Sequence, residues 1–128
     1  MKFKYYIYLF CLILLFSCTT NIPNIKGLDY SKWVNDTYGC AGEREKLAHL
    51  VNDNKKVFLR FNQNQMIDIF GKPENQTLYT RGQTIFYYFI KYHPLCGGDD
   101  VRSEDAQIKL EIRFDALNRS KELYIHNL

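Results

Sequence analysis

Ile108-Lys109-Leu110-Glu111-Ile112-Arg113-Phe114-Asp115 alternates apolar and charged residues without a break. A β-strand points successive side chains to opposite faces. The stretch therefore predicts a strand with Ile108, Leu110, Ile112 and Phe114 turned into a core and the charged residues in water. Such a strand needs partners. Downstream, residues 117–121 read as a turn and 123–125 as a last, returning strand. Upstream, Ile85-Phe86-Tyr87-Tyr88-Phe89-Ile90 is continuously apolar, which suits a central strand with both faces at least partly covered. Residues 77–81, then Gly82-Gln83, then residues 84–92 read as a hairpin. Residues 94–106, with a proline, two glycines and four acidic residues, read as a long loop. No crossover helix separates any two strands, so the pairing is antiparallel.

The helical signals all precede the sheet. Residues 28–35 predict a short helix capped by Asp29 or Ser31, with Leu28, Tyr30, Trp33 and Val34 as apolar contacts. Trp33, the only tryptophan, reads as a core anchor. Residues 38–42 form a turn. Residues 43–51 predict a helix from Leu47, Leu50 and Val51, with Glu43 and Glu45 in the first turn, where the helix dipole favours them. Arg44 and His49 stand among charged neighbours and are expected at solvated or rim positions. Residues 57–61 read as an extended link or minor strand. Met66, Ile67, Ile69 and Phe70 then mark a third helix, capped by Asn62 or Asn64 and stopped by Gly71 and Pro73. Helices followed by an antiparallel meander define an α+β fold, with two or three short helices packed on three to four strands.

The chain has 128 residues, 46% hydrophobic and 24% charged, a composition that excludes disorder for its bulk. The net charge is +3, and Lys2 and Lys4 at the amino terminus contribute two of those charges. The remainder is close to neutral, which argues against general nucleic-acid binding. Residues 5–16 are an unbroken apolar run behind a short basic segment. As a helix the run would span about 18 Å, well short of the about 30 Å hydrocarbon core of a bilayer, so it reads as the apolar region of a secretory signal. Leu15-Phe16-Ser17-Cys18 then resembles the lipobox of bacterial lipoproteins. In that class the cysteine carries lipid, and at about 0.8 kcal/mol per buried CH₂ its acyl chains hold the protein on a membrane. The competing reading is an ordinary signal peptide that happens to end near a cysteine. The organisation is thus a signal peptide at 1–17, a lipidated Cys18 with a polar tether at 18–27, and a single α+β domain at 28–128.

Cys11 leaves with the signal and Cys18 takes lipid, so Cys40 and Cys96 remain as a pair in an oxidising compartment. A disulfide between them would stabilise the fold by about 4 kcal/mol on the loop-entropy argument. Two rival readings stand beside it. His93-Pro94-Leu95-Cys96 sets a histidine three residues from a thiol, and Cys40, Cys96 and His93 are metal-ligand types, though without a paired knuckle spacing.

An anchor cysteine, a tether, helices ending in Phe70-Gly71-Lys72-Pro73, the aromatic strand Phe86-Tyr87-Tyr88 and a closing hairpin together resemble the BamE-like (SmpA/OmlA-type) small lipoproteins of the outer-membrane β-barrel assembly machinery. The likeness covers roughly residues 57–128 and the anchor. It implies two helices on an antiparallel sheet, an outer-membrane location facing the periplasm, attachment through the lipid anchor, and a protein partner in outer-membrane assembly or maintenance.

Read from its residues, the domain is expected to be a non-enzymatic interaction module without cofactor or metal. Two surfaces are candidates: Tyr87 and Phe89 on the outer face of the central strand, since exposed Tyr and Phe are favoured interface anchors, and the acidic loop with Asp99 and Asp100. Helices covering that face would make Tyr87 and Phe89 core residues, and the loop lacks the spacing of a calcium-binding EF-hand. An alternative is a periplasmic inhibitor that plugs a lytic enzyme or protease with residues 94–105. A small hydrolase is a further reading, but His49, His93 and His126 sit in no recognised catalytic motif.

Overall fold

The computed structural model describes residues 19–92, 96 and 106–128. Three helices, α1 (Tyr30–Asn35), α2 (Glu43–Asp53) and α3 (Gln63–Phe70), precede four strands, β1 (Asn75–Tyr79), β2 (Gln83–Tyr92), β3 (Ala106–Phe114) and β4 (Ser120–His126). The strands form one antiparallel sheet in chain order, so the α+β meander expected from the sequence is the fold. No helix among the described residues is long and apolar enough to cross a membrane.

Local chemistry sets the helix limits. Asp29 caps α1 by accepting from the backbone N–H groups of Ser31 and Lys32. Asn62 and Gln65 form a reciprocal capping box at α3, each side chain bonded to the other's backbone at 2.9 Å. Gly71 ends α3 at φ +81°, a conformation that costs glycine little. Residues 57–61 do not form a strand. Lys55–Phe58 is a 3-10 turn, after which Arg60 and Phe61 exchange backbone hydrogen bonds with Ser120, at 2.8 Å each. The segment expected to be a tether lies against the helices instead: Thr20 bonds to Asp68 on α3, the Tyr30 hydroxyl donates to the Pro23 carbonyl at 2.6 Å, and Ile25 packs on the core.

The helices cover one face of the sheet. Phe86, Tyr88 and Ile90 of β2, Leu110, Ile112 and Phe114 of β3 and Leu123 of β4 pack there against Trp33, Leu47, Val51, Phe58, Met66 and Ile69. Phe70 is the hub of this core. Its ring lies 5.0 Å from Phe58, 5.5 Å from Trp33, 5.8 Å from Tyr88 and 6.4 Å from Tyr30, centroid to centroid, in tilted and edge-on arrangements that suit aromatic quadrupoles.

One polar cluster enters this interior, and it corrects the expectation that Arg44 is a solvated position. Arg44 and Glu74 form an ion pair at 2.8 Å with both side chains 2% exposed. β1 ends opposite Tyr87, while β2 runs on to Tyr92. The pair satisfies the backbone that β1 leaves uncovered: Phe89 donates its N–H to Glu74 Oε2 at 2.9 Å, and its carbonyl accepts from Arg44 Nη1 at 2.9 Å. Arg44 Nε reaches the Trp33 carbonyl, Glu74 Oε1 also accepts from the Tyr38 N–H, and buried Asp36 accepts from the backbone of Ala41 and Arg44. The guanidinium stands 5.6 Å from the Trp33 ring and 6.0 Å from the Tyr88 ring. His49, by contrast, is exposed as expected.

The turn Thr37–Gly39 lies along the same stretch of β2. A Cβ at Gly39 would overlap the Ile90 carbonyl, so only glycine permits this approach. Cys40, just after this turn, is bridged to Cys96, 56 residues away, with a Cα separation of 5.6 Å. The disulfide reading therefore holds over the free-thiol and metal readings.

Breaking the ion pair on one side leaves an unpaired buried charge. Glu74→Ala is expected to lower unfolding stability in urea by about 3–5 kcal/mol, and the double variant Arg44→Met/Glu74→Leu to recover much of that loss.

Candidate functional site

The second face of the sheet carries no helix among the described residues. The strand register arranges it in cross-strand rows: Thr77, Ile85, Arg113 and Glu122; then Asn75, Tyr87, Glu111 and Tyr124; then Phe89, Lys109 and His126. Tyr79 extends the face beyond the first row and is 56% exposed, and Tyr124 is 44% exposed. Aromatic and cationic groups alternate here because period-two strands bring every second residue of four chains onto one plane.

Glu111 is the centre of this face and is buried, not wet as its place in the alternation implied. Long neighbours in the adjoining rows cover it. Arg113 Nε donates to one oxygen, and His126 Nε2 lies 2.8 Å from the other, where an imidazole carrying its proton on that nitrogen donates. Burial alone would raise the Glu111 carboxyl. The hydrogen bonds from Arg113 and His126 outweigh it and hold the group below its ordinary 4.5. The same bond raises Arg113 above its ordinary value. The Arg113 guanidinium stands 5.6 Å from the Tyr124 ring centroid, and the Lys109 ammonium 5.5 Å from that of Tyr87. Both Glu111 oxygens are engaged, and His126 bonds to no hydroxyl or thiol among the described residues. No group of three His, Cys, Asp or Glu able to hold a metal ion occurs among them either. The strands thus hold rings and charges in fixed positions on this face.

The candidate residues fall unevenly on this surface. Tyr87 lies on it, half-buried beneath Lys109. Phe89 points to the same side but is fully buried, with the Tyr38 ring 6.3 Å away, so it cannot serve as an exposed anchor. The helices that were a rival cover for these two residues pack on the opposite face; the turn bearing Tyr38 covers Phe89 instead. Cys40 and Cys96 are joined to each other and belong to none of the four strands. Cys18, His93, Asp99 and Asp100 lie outside the described residues. Sequence reasoning missed Arg113, Tyr124 and His126 as a group, although Arg113 is one step from Ile112 in the very alternation that identified β3. It also missed Arg44, whose spacing to Leu47, Ala48 and Val51 places it on the buried side of α2.

Comparison of the chain with protein-family models, with curated proteins and with solved structures yields no match.

The lowered Glu111 carboxyl makes stability depend on pH. The contribution is complete above the ordinary value of 4.5 and is lost as pH falls through the lower folded-state value. Melting temperatures recorded between neutral pH and pH about 3 are expected to fall less steeply in Glu111→Gln than in the parent chain.

Proposed function

We propose that this protein is a lipid-anchored lipoprotein of the bacterial cell envelope that works as a non-enzymatic protein-interaction module, held at the outer membrane through Cys18 and facing the periplasm. The observation that supports an interaction role is the sheet face opposite the helices, which carries no helix among the described residues and sets Tyr79, Tyr87 and Tyr124 among Lys109 and Arg113. Tyrosine and arginine supply large contact area with few rotors to freeze and dominate the energetics of protein interfaces. A four-stranded sheet holds them rigidly, so a partner meets a preformed surface and association costs little reordering.

The anchor reading rests on Leu15-Phe16-Ser17-Cys18 behind a basic and then apolar amino terminus. Lipid chains on Cys18 make membrane attachment independent of the domain, which leaves the tyrosine face available for a protein. Kinship with BamE-like lipoproteins remains part of the proposal, carried by the anchor motif, the Phe70-Gly71-Lys72-Pro73 helix end and the order of helices and strands. On that reading the partner belongs to outer-membrane assembly or maintenance.

A photo-crosslinking amino acid placed at Tyr124 in the full chain, expressed in its own membranes, tests the surface. A discrete protein adduct from position 124, absent when the crosslinker replaces exposed Asp53 on α2, is the expected result. Equal adducts from both positions, or none from 124, would rule out the tyrosine face. In parallel, Cys18→Ala is expected to abolish labelling by a palmitate analogue and to release the protein from membranes or leave it uncleaved. Unaltered labelling and processing would rule out the anchor.

A further inference from the structure

Arg44 has one nitrogen left over. Its Nε donates to the Trp33 carbonyl, and its Nη1 to Glu74 and to the Phe89 carbonyl, but Nη2 has no partner among the described residues. The side chain is nonetheless almost fully buried. Trp33 Nε1 is the only partnerless side-chain nitrogen or oxygen sealed from solvent among these residues, so Nη2 reaches open space. Arg44 lines a cleft of about 420 Å³.

The rest of the cleft is built around that nitrogen. Lys72, exposed and with no ion-pair partner among the described residues, stands at the rim. Val34, Tyr38 and Pro73 supply apolar surface, and the Thr37 hydroxyl, also without a partner, adds a donor. Glu74 lines the cleft too. Its carboxylate is consumed, with Oε1 accepting from Arg44 and the Tyr38 N–H and Oε2 from the Phe89 N–H. Among the lining residues one carboxylate thus stands against the two cations Arg44 and Lys72, a balance that favours an anionic guest.

The cleft continues. A second hollow of about 370 Å³ shares Lys72, Pro73 and Glu74 with it and extends to Asn75 and Gln76 at the start of β1. β1 is an edge strand with no charged residue, exposed from Gln76 onward, and its Leu78 is 86% exposed. Edge strands left without charge, proline or cover are ready templates for pairing.

We propose that this groove binds the carboxyl terminus of an extended peptide. The terminal carboxylate bonds to Arg44 Nη2 and Lys72, the last side chain rests on Val34, Tyr38 and Pro73, and the preceding residues run out along β1, pairing with its free edge. This combines capture of a terminal carboxylate with strand addition, in which backbone bonds give affinity and the end pocket gives direction. It needs neither the lipid anchor nor the tyrosine face, and it stands or falls apart from them.

Trp33 is the chain's only tryptophan and lies 5.6 Å from the Arg44 guanidinium, so its fluorescence reports on the site. The full chain in detergent micelles is titrated with N-acetyl-Thr-Val-Thr-Val bearing a free carboxyl end, with the same peptide amidated, and with an amidated peptide carrying an internal glutamate. A saturable change with the free-carboxyl peptide alone, weakened about tenfold by Lys72→Met, is the expected outcome, since a charged hydrogen bond is removed. Lys72 is exposed, so this variant is expected to keep the parent circular dichroism and melting temperature. An equal response to the amidated peptide, a response to the internal glutamate, no saturable change at millimolar peptide, or no effect of Lys72→Met would each overturn the proposal.

Discussion

β2 is five residues longer than the neighbour that pairs with it, and the Arg44–Glu74 ion pair exists because of that mismatch. Beyond Tyr87 the strand has no β1 to bond to, yet its backbone lies under the helices, where unpaired N–H and C=O groups are costly. A carboxylate and a guanidinium take the place of the missing strand, one accepting from Phe89 and the other donating to it. Charged groups tolerate such burial only when nearly every polar atom finds work. Here the two side chains draw together the end of α1, the turn at Tyr38, the start of α2, the entry to β1 and the middle of β2. Gly39 belongs to the same arrangement, for it lets the turn lie against β2 at Ile90, beyond the last residue that β1 pairs.

From this follows the division between the faces. With the helices locked onto one side of the sheet, Phe86, Tyr88 and Ile90 of β2, Leu110, Ile112 and Phe114 of β3 and Leu123 of β4 pack there, and the aromatic hub at Phe70 fills the space. The other side carries tyrosines, cations, the buried Ile85 and Phe89, and one buried carboxylate held between Arg113 and His126. On this surface strand geometry fixes the rings, and cation–π contact steadies the charges. Arg44, which completes the sheet, also lines the cleft in which the peptide site is proposed.

Much of this was readable residue by residue. The alternation from Ile108 to Phe114, the apolar run at β2, the caps at Asp29 and Asn62 and the stop at Gly71 are short-range signals, and each acts through its own backbone within a few residues. A Cys40–Cys96 bridge was the leading of several readings of the cysteines, and the structure forms it. The failures share one cause. Arg44 among charged neighbours looks solvated, Glu111 in an alternating strand looks wet, and Phe89 beside Tyr87 looks available. Each judgement assumed the immediate sequence describes the surroundings.

The chain alone therefore settled element types, their order and the antiparallel meander, because periodicity and capping are local and topology is constrained by short connections. Which charges are buried, which face of the sheet the helices cover and where a cleft forms came from the folded molecule. Those depend on contacts such as Arg44 with Phe89, 45 residues apart, and Tyr38 with Glu74, 36 apart, that no window along the chain contains.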